Sequence, residues 1–223
     1  DVSDENSIQQ AVQDLLNKTD GKLFGLINNA GFVQAGSLSQ LPRKVLESQF
    51  ATNVFGLHSL TQALMPTFLS QKEGRIIHVS SVLGFVPKSL LGAYNASKYA
   101  VEGLGDTLRL ELHTHKNLHV VLVQPGPIHS KLFNNAVDVV QHRLNQKQNT
   151  EDQSLLDAMQ INSKDHPFKK DPVAVSQAFY RALTARHPKT RYRITIPCHG
   201  AAWAKRLLPT CIMDWIMRSS DKE

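Results

Sequence analysis

At 223 residues, with 41% apolar and 20% charged side chains, the chain has the size and make-up of one globular domain. Its net charge of +6 is scattered, clustering only at Lys169-Lys170 and from Arg186 to Arg193; that is a solvated face, without the basic stripe, aromatics or module that nucleic-acid binding requires. No apolar run approaches the ~20 residues of a membrane-spanning helix, and neither the spacing of Cys198 and Cys211 nor that of His113 and His115 suits a metal site.

Asp1-Val2 reads as the end of a strand. A helix follows, with Ser3 or Asp4 as its cap, Glu5 in its first turn and an apolar stripe at Ile8, Val12, Leu15 and Leu16. Leu23 to Ile27 is short and apolar, as in a buried parallel strand. It ends in Asn28-Asn29-Ala30-Gly31, where Gly31 lets the backbone come close to a ligand. Pro42 to about Leu69 reads as one long helix with Leu46, Phe50, Leu57, Leu60 and Leu64 on its apolar face. Asn53 falls on that same face, and a buried amide must find partners or cost ~1–3 kcal/mol.

Ile76, Ile77 and Val79 form a β-branched strand that runs into Ser80-Ser81. After an apolar loop from Leu83 to Leu91, a helix carries Tyr94 and Lys98 one turn apart, with Ser97, Val101, Leu104, Leu108 and Leu112 along its inner face. An ammonium beside a phenol favours the phenolate, so Lys98 is expected to lower the Tyr94 pKa and make it a proton donor and acceptor near neutral pH. Ser81 stands at the carboxyl end of its strand, where α/β proteins bind ligands, and its hydroxyl suits an oxygen that develops charge.

Leu118 to Val123 is a buried strand stopped by Pro125-Gly126-Pro127. From Lys131 to Lys170 the chain turns polar, as in a mobile and sequence-tolerant lid. Pro172 to Ala185 reads as a helix and Tyr192 to Ile196 as a short strand. Ala201 to Met217 is amphipathic around Trp203, Leu207, Leu208, Ile212, Trp215 and Ile216. The usual behaviour of such stripes makes it a core-covering helix, with a membrane-surface or subunit contact as the alternative. Strands and helices alternate throughout, so the expected class is α/β: a Rossmann-type doubly wound parallel sheet with helices on both faces.

Ser81, Tyr94 and Lys98 in the setting VSS…YNASK resemble the active site of the short-chain dehydrogenase/reductase family. Three other motifs agree: NNAG at Asn28 to Gly31, the helix asparagine Asn53 in NVFG, and Pro125-Gly126 after the later strand. Within the family the chain is most similar to bacterial NADP-dependent aldehyde reductases, near the retinol and 17β-hydroxysteroid dehydrogenase branch.

The resemblance implies a single domain over 1–223 with 131–170 as its variable substrate lid. It also implies that the family's opening β-α-β-α-β, with the glycine-rich pyrophosphate turn, lies outside this sequence, on the order of 55 to 65 residues at ~30 per βαβ unit. On that reading the C-terminal two-thirds to three-quarters of the domain is present, and the strand Leu23–Ile27 exposes an edge to its absent neighbour.

The cofactor implied is NADP, with NAD as the alternative. The residues implied to touch it are Asp1 and Val2 (adenine), Asn28, Asn29, Ala30 and Gly31, Tyr94 and Lys98 (nicotinamide ribose), and Pro125, Gly126, Ile128 and Ser130 (carboxamide side). Asn53 is implied to hold a water that links the active-site lysine to solvent. The reaction implied interconverts a carbonyl and an alcohol by hydride transfer, and the apolar Leu83–Leu91 loop suits an apolar aldehyde or ketone. The helices of Asn53 and Tyr94 are implied to build a homodimer or homotetramer, and the cysteine usage suits a cytoplasmic protein. Two rival readings stay open: a relative that has lost catalysis, and a sugar-nucleotide epimerase of the extended branch. The roughly 95 residues after Pro125 are few for the larger substrate domain of the latter.

Overall fold

The computed structural model describes residues 1–146 and 168–220. The middle of the expected lid, 147–167, lies outside the described residues. Four parallel strands form one sheet in the order β1-β2-β3-β4: β1 Gly25–Asn28, β2 Glu73–Val79, β3 Asn117–Gln124 and β4 Arg191–Arg193. Ile76 and Ile77 are neighbours on β2, point to opposite faces and are both wholly buried, as a sheet covered on both sides requires. One face packs Leu26, Leu64, Phe68, Ile76, Leu118 and Val120 beneath α1 (Glu5–Lys18), α3 (Leu57–Gln71) and α4 (Gly92–Glu111). The other packs Ile77, Val121 and Val123 against Ala178 and Ala182 of α6 (Val173–Thr184). The expected doubly wound α/β class is the observed one. Among the described residues β1 has a strand on one side only.

Several boundaries differ from the sequence reading. Asp1-Val2 is not in a strand: Val2-Ser3 is a turn, and Asp4 caps α1 by accepting from the Asn6 N–H. The long helix is interrupted: α2 (Arg43–Phe50) and α3 flank a π-helical turn over Ala51–Gly56. Such wide turns recur where a side chain must be re-aimed, and Asn53 sits inside this one. The final strand is only three residues long, because Thr195 opens α7 (Ile196–Leu207) and Pro197 suits the first turn of a helix. The expected Ala201–Met217 helix is two helices, α7 and α8 (Thr210–Ser220), with Leu208-Pro209 between them. Pro209 lacks the N–H that would continue α7.

The segment expected to be a polar lid begins in regular structure. Lys131–Gln146 is a helix, α5, whose Ala136 and Val140 are buried beside Val33, Ala35, Leu83, Leu91 and Tyr94. Lys170, at the far end of that segment, is tied to the residues just before its start. Ile128 and Lys170 form a parallel bridge, with His129 N donating to Lys170 O and Lys170 N donating to Pro127 O.

Candidate active site

The carboxyl ends of β2 and β3 are tied together just beyond the sheet. Ser80 N donates to Val123 O and Val82 N donates to Pro125 O, both at 2.8 Å. Ser81, between them, has extended backbone, and its Oγ accepts from Leu83 N at 3.1 Å to cap a short 3₁₀ turn. Gly126 is required here: a Cβ would lie 2.0 Å from the Thr195 hydroxyl at the start of α7. The two turns and α7 therefore form one packed wall.

The first turns of α4 lie against this wall. Tyr94 and Lys98 are both buried. Lys98 Nζ donates to Val79 O at 2.7 Å and stands 5.7 Å from the centroid of the Tyr94 ring. The expected lowering of the tyrosine pKa is reversed: Tyr94 is pushed up to about 12. Burial is the main cause, and a hydrogen bond with Ser81 pulls the other way. A phenolate in an apolar pocket is costly, and an ammonium already committed to a carbonyl does not offset that cost. Burial also pulls Lys98 down to about 8, against the pull of Glu102, which favours the ammonium. Near neutral pH the pair is thus a neutral phenol, ready to donate, beside a cation.

Asn53 is buried and its side chain is fully used. Nδ2 donates to Phe32 O at 3.2 Å and Ser97 Oγ at 3.0 Å, while Oδ1 accepts from Phe32 N at 3.1 Å. One amide thus clamps the residue after NNAG to the residue before Lys98. Gly31 lies in this cradle: a Cβ on it would sit 3.1 Å from Asn53 Oδ1 and 3.8 Å from Lys98 Nζ.

Asn28 turns inward. Thr61 Oγ1 already donates to Leu57 O, so it accepts from Asn28 Nδ2 at 2.9 Å; the second amide proton points to His78 Nδ1 at 3.0 Å. His78 is therefore neutral with its proton on Nε2. Burial, helped by the charge on Lys98, holds its pKa down at about 4. Asn29, Ala30 and Gly31 stay exposed along the rim. At the periphery, Asp1 is exposed and its carboxylate accepts from Ser3 N and Ser3 Oγ; Val2 and Ile128 are half-buried and Ser130 is exposed.

Gln49 and His78, both buried, and the half-buried Glu102 were not anticipated. Gln49 donates to Phe32 O and accepts from Gln34 N, each at 2.8 Å. Glu102 accepts from Gln124 Nε2 at 2.9 Å and Arg191 Nε at 3.1 Å. Gln49 and Glu102 had a readable signal: they lie one helical turn before Asn53 and one after Lys98, on the inward face.

The family profile described as short chain dehydrogenase matches residues 1–140. The chain belongs to the short-chain dehydrogenase/reductase family, a family of oxidoreductases. It is 37% identical over 218 residues to the oxidoreductase YbbO of Escherichia coli K12, covering 98% of this chain and 76% of that protein. It is 30% identical over 220 residues to the 3-ketodihydrosphingosine reductase of Bacteroides thetaiotaomicron, covering 98% of this chain and 80% of that protein. Among solved structures, a short-chain dehydrogenase from Streptomyces avermitilis shares the fold with a TM-score of 0.72 at 23% identity, over 100% of this chain and 79% of that one. ElxO with NADP bound has a TM-score of 0.67 at 21% identity, over 87% and 74%.

Proposed function

We propose that the protein is an NADP(H)-dependent reductase that interconverts an apolar aldehyde or ketone and its alcohol. The observation that carries this reading is the convergence of Ser81, Tyr94 and Lys98 beside an apolar cluster of Val33, Ala35, Leu83, Leu91, Ala136 and Val140. The cradle at Gly31 fits a dinucleotide, because its open backbone and the Lys98 ammonium offer a hydroxyl-bearing ribose both close approach and a cation. Gly31, Lys98 and the Pro125-Gly126 turn would hold it, and NADPH, when bound, supplies the hydride. Tyr94 Oη donates the proton to the carbonyl oxygen, Ser81 Oγ donates a hydrogen bond to the same oxygen, and Lys98 holds a positive charge 5.7 Å from the Tyr94 ring. Asn53 keeps Lys98 and the cradle in register through Ser97 and Phe32.

NADP rather than NAD is supported by two relatives. ElxO was solved with NADP, and a reductase of Ornithobacterium rhinotracheale, 37% identical over 142 residues, is named as an NADPH-dependent 3-dehydrocapnine reductase. A ketone substrate is supported by the name of the Bacteroides relative. We place the enzyme in a reducing, cytoplasmic setting, in keeping with its free Cys198 and Cys211. Self-association through α3 and α4 belongs to the same reading and rests on the family resemblance.

The test is oxidation of NADPH, with NADH in parallel, by protein expressed from the complete gene. Aldehydes and ketones of increasing chain length are the substrates. Turnover that prefers NADPH and improves with chain length is expected. Absence of turnover with either nucleotide from folded protein would overturn the reading.

A further inference from the structure

Helix α7 has two unlike faces. Inward, Cys198 is wholly buried with its thiol donating to Gln124 O at 3.3 Å, and the helix packs on the turn Val82–Gly84 next to Ser81. Outward, Ile196, Gly200, Trp203 and Leu207 follow one another at helical spacing. The three large side chains among them are 66%, 62% and 72% exposed. After Leu208-Pro209, α8 turns Met213 inward and leaves Trp215 70% exposed, with Ile212 and Ile216 also outward. Two indoles and two long aliphatic side chains on the outside of consecutive helices cost free energy in water unless something covers them.

The charges beside them select the cover. Lys205, Arg206 and Arg218 are exposed, and Asp214 is the single carboxylate between Ile196 and Ser220. The chain as a whole carries +6. A second copy meeting this face across a two-fold axis would bring like charges together with little to offset them. A bilayer with anionic headgroups satisfies both halves of the pattern. Trp rings settle at the lipid–water boundary, aliphatic side chains enter the acyl region, and Lys and Arg reach the phosphates. Among the described residues no helix is long and apolar enough to cross a membrane; the contact argued for is made by the outer faces of α7 and α8.

We propose that α7 and α8 dock the protein on an anionic bilayer surface through Ile196, Trp203, Leu207 and Trp215, flanked by Lys205, Arg206 and Arg218. Docking places the Ser81 turn about one helix diameter, ~10 Å, from the lipid. A carbonyl compound dissolved in the bilayer then approaches the site from the lipid side. That consequence rests on the function proposed above; the docking does not.

The experiment is co-sedimentation of the protein with phosphatidylcholine vesicles, with and without phosphatidylglycerol, at low and high salt. Binding to the anionic vesicles that weakens with salt is expected. Trp203→Ser/Leu207→Ser and Lys205→Glu/Arg206→Glu should each reduce it by about tenfold or more, with unchanged thermal melting by circular dichroism. No binding to anionic vesicles, or binding that both double variants retain, would overturn the proposal. So would a dimer in sedimentation velocity that Trp203→Ser/Leu207→Ser dissociates, since the face would then belong to a second copy. No turnover is read, so failure here and failure of the reductase reading are separate results.

Discussion

Helices α4 and α7 carry the same kind of pattern and use it in opposite directions. Both have residues at helical spacing that form a coherent stripe. In α4 the stripe of Ser97 and Val101 is wholly buried, and the buried set extends to Tyr94 and Lys98. In α7 the stripe of Ile196, Trp203 and Leu207 faces out, and the buried position is the small Cys198. The difference lies in what surrounds each helix. Helix α4 packs on α2, the π turn, β2 and β3, so every inward group, polar or apolar, has a neighbour. Helix α7 follows β4, the last strand of the sheet, and packs on turns with a narrow strip of small side chains. Amphipathic spacing reports that a helix has two sides; the neighbours decide which is inside.

That contrast can be broken by substitution, beginning inside α4. Tyr94→Phe keeps the ring and the packing and removes the proton, so turnover should fall by about 10²–10⁴-fold in a steady-state reductase assay, with melting unchanged.

His78, beneath α4, provides a pH test. Its folded pKa of about 4 lies below the ordinary 6.5, so between those values the unfolded chain binds more protons. Stability therefore rises as pH climbs from about 4 to 6.5, by roughly 3 kcal/mol, and is lost as pH falls back through that window. His78→Gln retains an acceptor for Asn28 and should flatten this rise in denaturant titrations across the window; an unchanged pH dependence would contradict the neutral, buried assignment.

Asn53→Ala leaves the Phe32 N–H without its acceptor and removes the bond that Ser97 Oγ accepts, while that hydroxyl still donates to Tyr94 O. A loss of about 1–3 kcal/mol in equilibrium unfolding is expected, together with weaker nucleotide binding through the loosened Gly31 cradle. The smallest effect belongs to α7. Trp203→Ala removes a large side chain that is already solvated, so unfolding free energy should change by less than about 0.5 kcal/mol. A larger loss would mean that the outward face is covered within the chain itself.

Much of the α4 region was readable because its chemistry is local in sequence. Tyr94 and Lys98 lie one turn apart, Ser81 ends a strand, and Asn53 shares a face with Phe50 and Leu57. The sign of the Tyr94 shift was not readable, because it depends on burial contributed by Val33, Ala35, Ala136 and Val140, which come from distant segments. The π turn over Ala51–Gly56 likewise answers to a tertiary demand, the clamp from Asn53 to Phe32 and Ser97. The order of α5 was hidden by a polar composition around the few apolar side chains, Leu132, Ala136, Val137 and Val140, that pack inward. Pro197 and Pro209 did mark the ends of α7, and weighing them above the apolar pattern would have separated the two C-terminal helices.

The most direct test of the account follows the hydride and the proton donor together. Protein from the complete gene is given NADPH deuterated at the transferable position of its nicotinamide, together with a long-chain aldehyde or ketone, and the alcohol product is read by mass spectrometry. The account predicts alcohol carrying one deuterium from the wild type and at least about a hundredfold less from Tyr94→Phe. Unlabelled alcohol, or equal labelled product from both proteins, would contradict it.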